Sequence, residues 1–127
     1  MTLDMDNLPP GSTGEVHRRA EGLGVGYVLY STRKHRPDAP RLRLVVLLNR
    51  CALPDEYEPV ARKLAALIQP EMTWFDPTTF QPERLMYWPS VCADGEYFVQ
   101  CADKPMLSVD GMLGLYPDWH DVAAWPT

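Results

Sequence analysis

The sequence predicts an α+β domain in which two main helices pack on one antiparallel-rich sheet. Two observations indicate this class. Short β-branched or aromatic runs alternate with two segments of helical character, and 13 prolines in 127 residues limit helix content and favour short elements joined by turns. The length suits one domain of common size, with enough chain for a real core.

The N-terminal half is predicted to form a strand, a helix, a second strand and a loop. Ser12 followed by Glu15 has the spacing of a capping box, which marks a helix start. The run GYVLYS is β-branched and aromatic, as in a strand, whereas the polar, basic and proline-bounded run TRKHRPDAP is typical of a loop. The predicted bounds are 2–6 for the strand, 12–21 for the helix, 25–31 for the second strand and 32–40 for the loop.

The C-terminal half is predicted to add a buried strand, a longer helix and a closing strand. LRLVVLL is the most apolar run in the chain and suits a strand buried on both faces. Pro54 with acidic residues after it favours a helix start, and the Asp94-Gly95 turn precedes the closing strand. The predicted bounds are 42–48 for the strand, 54–70 for the helix, 96–101 for the closing strand and 108–116 for a short last helix.

The resulting β-α-β-β-α-β order is close to a ferredoxin-like or RNA-recognition-like core. We expect this core to span residues 1–104, followed by an acidic tail over 105–127 that contains Pro and Trp. Trp88 could stack on bases, and so could the two tryptophans of the tail, Trp119 and Trp125. The latter two lie among acidic residues that phosphate would avoid, so docking onto the domain surface or a following domain is the favoured interpretation.

The charge of the chain is strongly polarised along the sequence. The total of 17 acidic and 12 basic side chains gives −5, which by itself argues against a coat-like nucleic-acid binder. Segment 16–50, however, holds eight basic and two acidic side chains, so it carries +6 and the other residues carry −11. Such a segment is either a phosphate-binding surface or a solvated basic face.

The remaining composition predicts a cytoplasmic protein without a membrane segment. No apolar run approaches the roughly 18 residues of a membrane span, and the start MTLDMDNLPP lacks the cationic region of a secretory signal. Three widely spaced cysteines fit neither a disulfide framework nor a zinc site, so we expect reduced thiols.

Carboxylates alternate in the first predicted strand, and arginines alternate at the start of the buried strand. Asp4 and Asp6 alternate in the first strand, so they form either a divalent-metal site or an exposed strand end. Arg41 and Arg43 also alternate, and an arginine against a core strand needs an anion, either an internal acid such as Asp4 or a triphosphate. Asp76, between an aromatic residue and a proline, is either a turn cap or a third metal carboxylate.

Three segments together resemble the archaeo-eukaryotic primase superfamily, in particular the primase-polymerase domains of phage and plasmid replication proteins. They are LDMD (3–6), YSTRKH…PRLRLVV (30–46) and FDPTTFQPERLMYWPS (75–90). The resemblance implies an RNA-recognition-like palm and a DNA primase/polymerase that uses Mg²⁺ or Mn²⁺ to join nucleoside triphosphates on a single-stranded DNA template. A replicative helicase domain or protein is a further expected partner.

The resemblance also implies roles for individual residues. Asp4, Asp6 and Asp76 would be the catalytic metal ligands. The nucleotide-binding residues would be Ser31, His35, Arg41, Arg43 and Arg84.

Two other functions remain open beside the catalytic one. The chain leaves no room for the α/β module that precedes the first motif in that superfamily, so it could be a non-catalytic or truncated nucleic-acid-binding or assembly module. A metal-dependent nuclease would use the same carboxylates, but it would need no dedicated binding site for a triphosphate.

Overall fold

A computed structural model describes residues 1–81 and 99–127, and within them it confirms the α+β class. Four antiparallel strands form one sheet in the order β1-β3-β2-β4. The strands are β1 (Thr2–Met5), β2 (Tyr27–Ser31), β3 (Leu42–Val46) and β4 (Val99–Ala102). The helices are α1 (Thr13–Gly22), α2 (Pro54–Ile68) and α3 (Val109–Leu113), with 3₁₀ turns at Pro77–Phe80 and Val122–Ala124.

The register of the three strands β1, β3 and β2 divides the sheet into an apolar and a polar face. Leu3, Leu44 and Leu29 lie opposite one another and are fully buried in the main core, together with side chains of α1 and α2. Because successive side chains of a strand point to opposite faces, the next row falls on the other face. That row consists of Asp4, Arg43 and Tyr30.

The two main helices lie where the sequence predicts them, but their capping differs. The predicted capping box at Ser12 is wrong: the Ser12 hydroxyl donates to the carbonyl of Pro9 at 2.7 Å, and the Glu15 carboxylate binds Arg18 and Arg19. At α2, the Glu56 carboxylate accepts the backbone N–H of Leu53 at 2.8 Å. A carboxylate in the first turn satisfies an N–H that lacks an intrahelical partner, so this helix start is capped by its own acid.

Residues 105–127 pack on α2, as the docking interpretation of this segment favours. Val109, Met112 and Leu113 belong to the same core as the sheet. The Tyr116 hydroxyl donates to the carbonyl of Pro59 at 2.5 Å, and the indole N–H of Trp125 donates to the carbonyl of Trp119 at 2.7 Å. No helix in the described ranges is long and apolar enough to cross a membrane.

Candidate functional site

A buried polar network occupies the centre of the polar row. The Arg43 guanidinium donates from Nε to Asp4 Oδ1 at 2.5 Å and from Nη1 to the Tyr30 hydroxyl at 3.3 Å. Asp4 is 1% exposed and Arg43 is 7% exposed. Burial alone would lower the pKa of Arg43, but its hydrogen bonds to Asp4 and Tyr30 outweigh burial and raise the pKa. Of the two anions considered for Arg43, the structure therefore provides the internal acid Asp4.

The segment that contains Asp76 runs along the outer edge of β1. Phe75 forms an antiparallel bridge with Met5, and the Asp76 N–H donates to the Asp4 carbonyl at 3.0 Å. The buried Thr79 hydroxyl accepts the Asp4 N–H at 2.9 Å and donates to a β1 carbonyl at 3.0 Å. Sequence reasoning missed Thr79, because a threonine in a polar turn carries no signal that it pairs with a strand edge.

The carboxylates of Asp4 and Asp76 have separate partners although their backbones are adjacent. Asp76 Oδ1 accepts the Thr78 N–H at 3.0 Å and the Thr78 hydroxyl at 2.9 Å, which caps the 3₁₀ turn. Asp6 is half-buried and follows the last residue of β1. Over residues 1–81 and 99–127, no group of three or more His, Cys, Asp or Glu side chains could hold a metal ion.

Within the described residues, the carboxylates of Asp4 and Asp76 are therefore each engaged by a partner of their own. Asp4 is neutralised by the Arg43 guanidinium, and the Asp76 carboxylate caps its own turn. The metal-ligand roles of Asp4, Asp6 and Asp76 stay predictions.

His35 is placed inside the loop rather than on its surface. Its ring is 1% exposed, and its Nδ1 accepts the backbone N–H of Arg41 at 3.1 Å. A ring nitrogen that accepts carries no proton, so this bond assigns the neutral form with hydrogen on Nε2. Ser31 is fully buried at the end of β2, opposite Leu42. The geometry gives His35 a role in positioning the loop, and nucleotide contact by Ser31 and His35 stays a prediction.

The basic loop, defined as residues 32–41, is held by hydrogen bonds at its base and its tip. At the base, the Thr32 N–H donates to the Arg41 carbonyl at 2.9 Å. At the tip, Arg36 and Ala39 exchange backbone hydrogen bonds of 3.3 and 3.1 Å. Gly11, which has a left-handed φ of 72°, donates its N–H to the Pro37 carbonyl at 2.8 Å. Because these hydrogen bonds already fix the backbone of the loop, little conformational entropy would be lost when a ligand binds.

Ion pairing separates three cations of the basic loop from most of the other described basic residues. The pairs between described residues include Arg18 and Arg19 with Glu15, Arg43 with Asp4, Arg50 with Glu56 and Asp110, Arg62 with Glu58, and Lys104 with Glu21.

By contrast, Arg33, Lys34 and Arg41 make no ion pair with any acid in the described part of the chain. Arg33 and Lys34 are exposed, and Arg41 is half-buried. Within the basic segment 16–50, the cations that are available to bind an anion therefore lie in this loop. Arg84, the remaining predicted nucleotide contact, lies outside the described residues.

Comparison with known proteins places the chain in a family. The family model described as the VapE N-terminal domain matches residues 1–127. The chain belongs to this family. VapE N-terminal domains come from a phage- and plasmid-replication-associated protein family. This agrees with the expectation of a phage or plasmid replication protein, but it does not extend to membership of the primase-polymerase superfamily. No curated protein and no solved structure matches the chain.

Proposed function

We propose that this VapE N-terminal domain is a non-catalytic nucleic-acid-binding module of a replication protein, which holds single-stranded DNA on the basic loop. The observation that carries the proposal is the set of cations Arg33, Lys34 and Arg41, which no acid of the described residues neutralises. Cations without internal partners can replace the counterions of a phosphate backbone, and this replacement drives binding. Paired arginines such as Arg18 would first have to leave their carboxylates.

The polar row supports a structural role rather than a catalytic one. Asp4, Arg43 and Tyr30 join β1, β3 and β2 across the sheet face. A buried, mutually neutralised pair presents little charge to a ligand. Binding by the basic loop needs no change in this row, whereas metal binding by Asp4 would compete with the Arg43 guanidinium that already neutralises this carboxylate.

Fluorescence anisotropy with a labelled oligo-dT strand tests the binding proposal. Arg33→Ala and Lys34→Ala are each expected to weaken binding, because each removes one phosphate contact. Arg18→Ala is the matched control, since Arg18 is exposed and basic but bound to Glu15. Equal loss in the control and in the loop variants, or no binding by the unmodified chain, would contradict the proposal.

A metal-dependent DNA primase/polymerase is the second candidate, and one observation favours it. The Asp76 N–H donates to the Asp4 carbonyl, so the two predicted motifs lie side by side. In this alternative, Asp4, Asp6 and Asp76 take Mg²⁺ or Mn²⁺, nucleoside triphosphates are the substrates, and a replicative helicase is a partner. Template-dependent nucleotide incorporation that Asp6→Asn abolishes and the loop control Asp38→Asn retains would favour this candidate. Absence of incorporation by the unmodified chain would exclude it.

A further inference from the structure

An aromatic groove lies on the surface formed by the start of α2 and the C-terminal segment. Two cavities, of about 490 and 250 Å³, open there. Trp119 and His120 line both cavities, and their stacked rings have centroids 3.8 Å apart. The smaller cavity is also lined by Pro54, Val122 and Trp125. We call these five residues, together with the acidic residues that line the same two cavities, the aromatic groove.

The groove is both apolar and acidic, which defines the chemistry that it would accept. Val122 is 65% exposed, a large apolar side chain left in water. The described lining residues include the carboxylates of Asp55 and Asp118, neither of which pairs with a described lysine or arginine. The carboxylate of Asp110 also lines a cavity but is already bound to Arg50. Indole faces beside carboxylates favour a cationic side chain, because the ring quadrupole and the negative charge attract the same ligand.

The basic loop and the aromatic groove lie toward opposite ends of the sheet. The loop joins the end of β2 to the start of β3. The groove lies where α2 begins, near the end of β3, and Arg50 ties that corner together by binding Glu56 of α2 and Asp110 of α3. One molecule thus carries a cationic projection toward one end and an acidic, aromatic recess toward the other.

We propose that the aromatic groove binds the basic loop of a second copy of this chain, head to tail. The exposed cations Arg33 and Lys34 would meet the carboxylates, and the exposed Pro37 at the loop tip would meet the indoles. The loop is held by its own hydrogen bonds, so docking orders little new backbone. A contact between two different surfaces leaves one loop and one groove free, so the assembly extends or closes into a ring.

Sedimentation velocity of the 127-residue chain at about 0.05 M and about 1 M NaCl tests the proposal, because screening is weak at the first and strong at the second. We expect association that strengthens with protein concentration in low salt and disappears in high salt. Lys34→Glu in the loop and Asp118→Lys in the groove should each weaken association about tenfold or more. An equimolar mixture of these two variants should associate again, because each mixed contact pairs opposite charges.

The controls separate a specific contact from general charge effects. Arg18→Glu and Glu71→Lys make the same changes in net charge elsewhere on the surface and should leave association unchanged. Asp55→Lys provides a second groove variant, because Asp118 also accepts the His120 N–H at 3.1 Å and its loss could disturb the local turn. A monomeric unmodified chain in low salt, equal effects of the controls, or a mixture that stays monomeric would overturn the proposal.

Discussion

The buried pair of Asp4 and Arg43 gives a prediction that separates a structural ion pair from a metal site. Asp4→Asn removes the negative charge and keeps the shape of the side chain. If Asp4 neutralises Arg43, the substitution removes this negative charge from beside an almost buried guanidinium. If Asp4 instead belonged to a cluster of mutually repelling metal carboxylates, the metal-free protein would become more stable.

The expected loss is about 3 kcal/mol in the free energy of unfolding. Removing one partner of a buried pair costs about 3–5 kcal/mol, and the low end applies because the Asn amide oxygen can still accept from Arg43. With a slope of about 1–3 kcal/mol per molar urea, the midpoint of urea unfolding at pH 7 should fall by about 1–3 M. Circular dichroism or tryptophan fluorescence measures this midpoint.

Two further variants control the interpretation. The double variant Asp4→Leu/Arg43→Met replaces the pair with apolar side chains and should recover stability to within about 1 kcal/mol of the unmodified chain. Glu58→Gln breaks the more exposed Glu58–Arg62 pair of α2 and should cost about 0.3–0.5 kcal/mol. A loss below about 1 kcal/mol for Asp4→Asn, or a gain in stability, would refute the structural assignment of Asp4.

Two other predictions concern the attachment of the Asp76 segment and the start of α2. Thr79→Val keeps the shape of the side chain but leaves the Asp4 N–H unsatisfied, so urea unfolding should show a loss of about 1–3 kcal/mol in the free energy of unfolding. Thr78→Val is the control and should cost less, because Thr78 lies at the surface. Equal losses would contradict the role of Thr79 in attaching this segment to β1. Hydrogen bonds from Arg50 and from the Leu53 N–H lower the pKa of Glu56 to about 2, below its usual 4.5. The stability that Glu56 contributes should therefore be complete above about pH 4.5 and be lost as the pH falls toward 2. Glu56→Gln should flatten the pH dependence of unfolding in that window, and an unchanged slope would be evidence against it.

Sequence patterns predicted the elements well because local spacing determines them. The apolar run that became β3 and the proline and acids that begin α2 each act within one element. The pairing partners were harder to predict, because polar side chains choose among alternatives that only the fold brings together. Ser12 had the spacing of a capping residue, yet its hydroxyl binds the Pro9 carbonyl instead.

The candidate site was predicted in its placement more than in its chemistry. The position of Arg43 in a buried strand indicated that it needs an anion, but spacing could not decide whether that anion is an internal acid such as Asp4 or a ligand. Asp76 lies beside Asp4 as the motif order suggests, and its carboxylate caps a turn as its neighbouring proline suggests. Burial of His35 was not predictable, because a histidine within a basic, polar run gives no sign that its ring turns inward.

The salt dependence of single-stranded DNA binding tests the central claim most directly. The logarithm of the affinity of oligo-dT for the unmodified chain should fall linearly with the logarithm of the salt concentration, because bound cations release counterions. Arg33→Ala/Lys34→Ala should make that slope shallower by about 1.4, or about 0.7 for each lost contact with a single strand. An unchanged slope, with binding retained, would contradict the assignment of the basic loop as the nucleic-acid-binding surface.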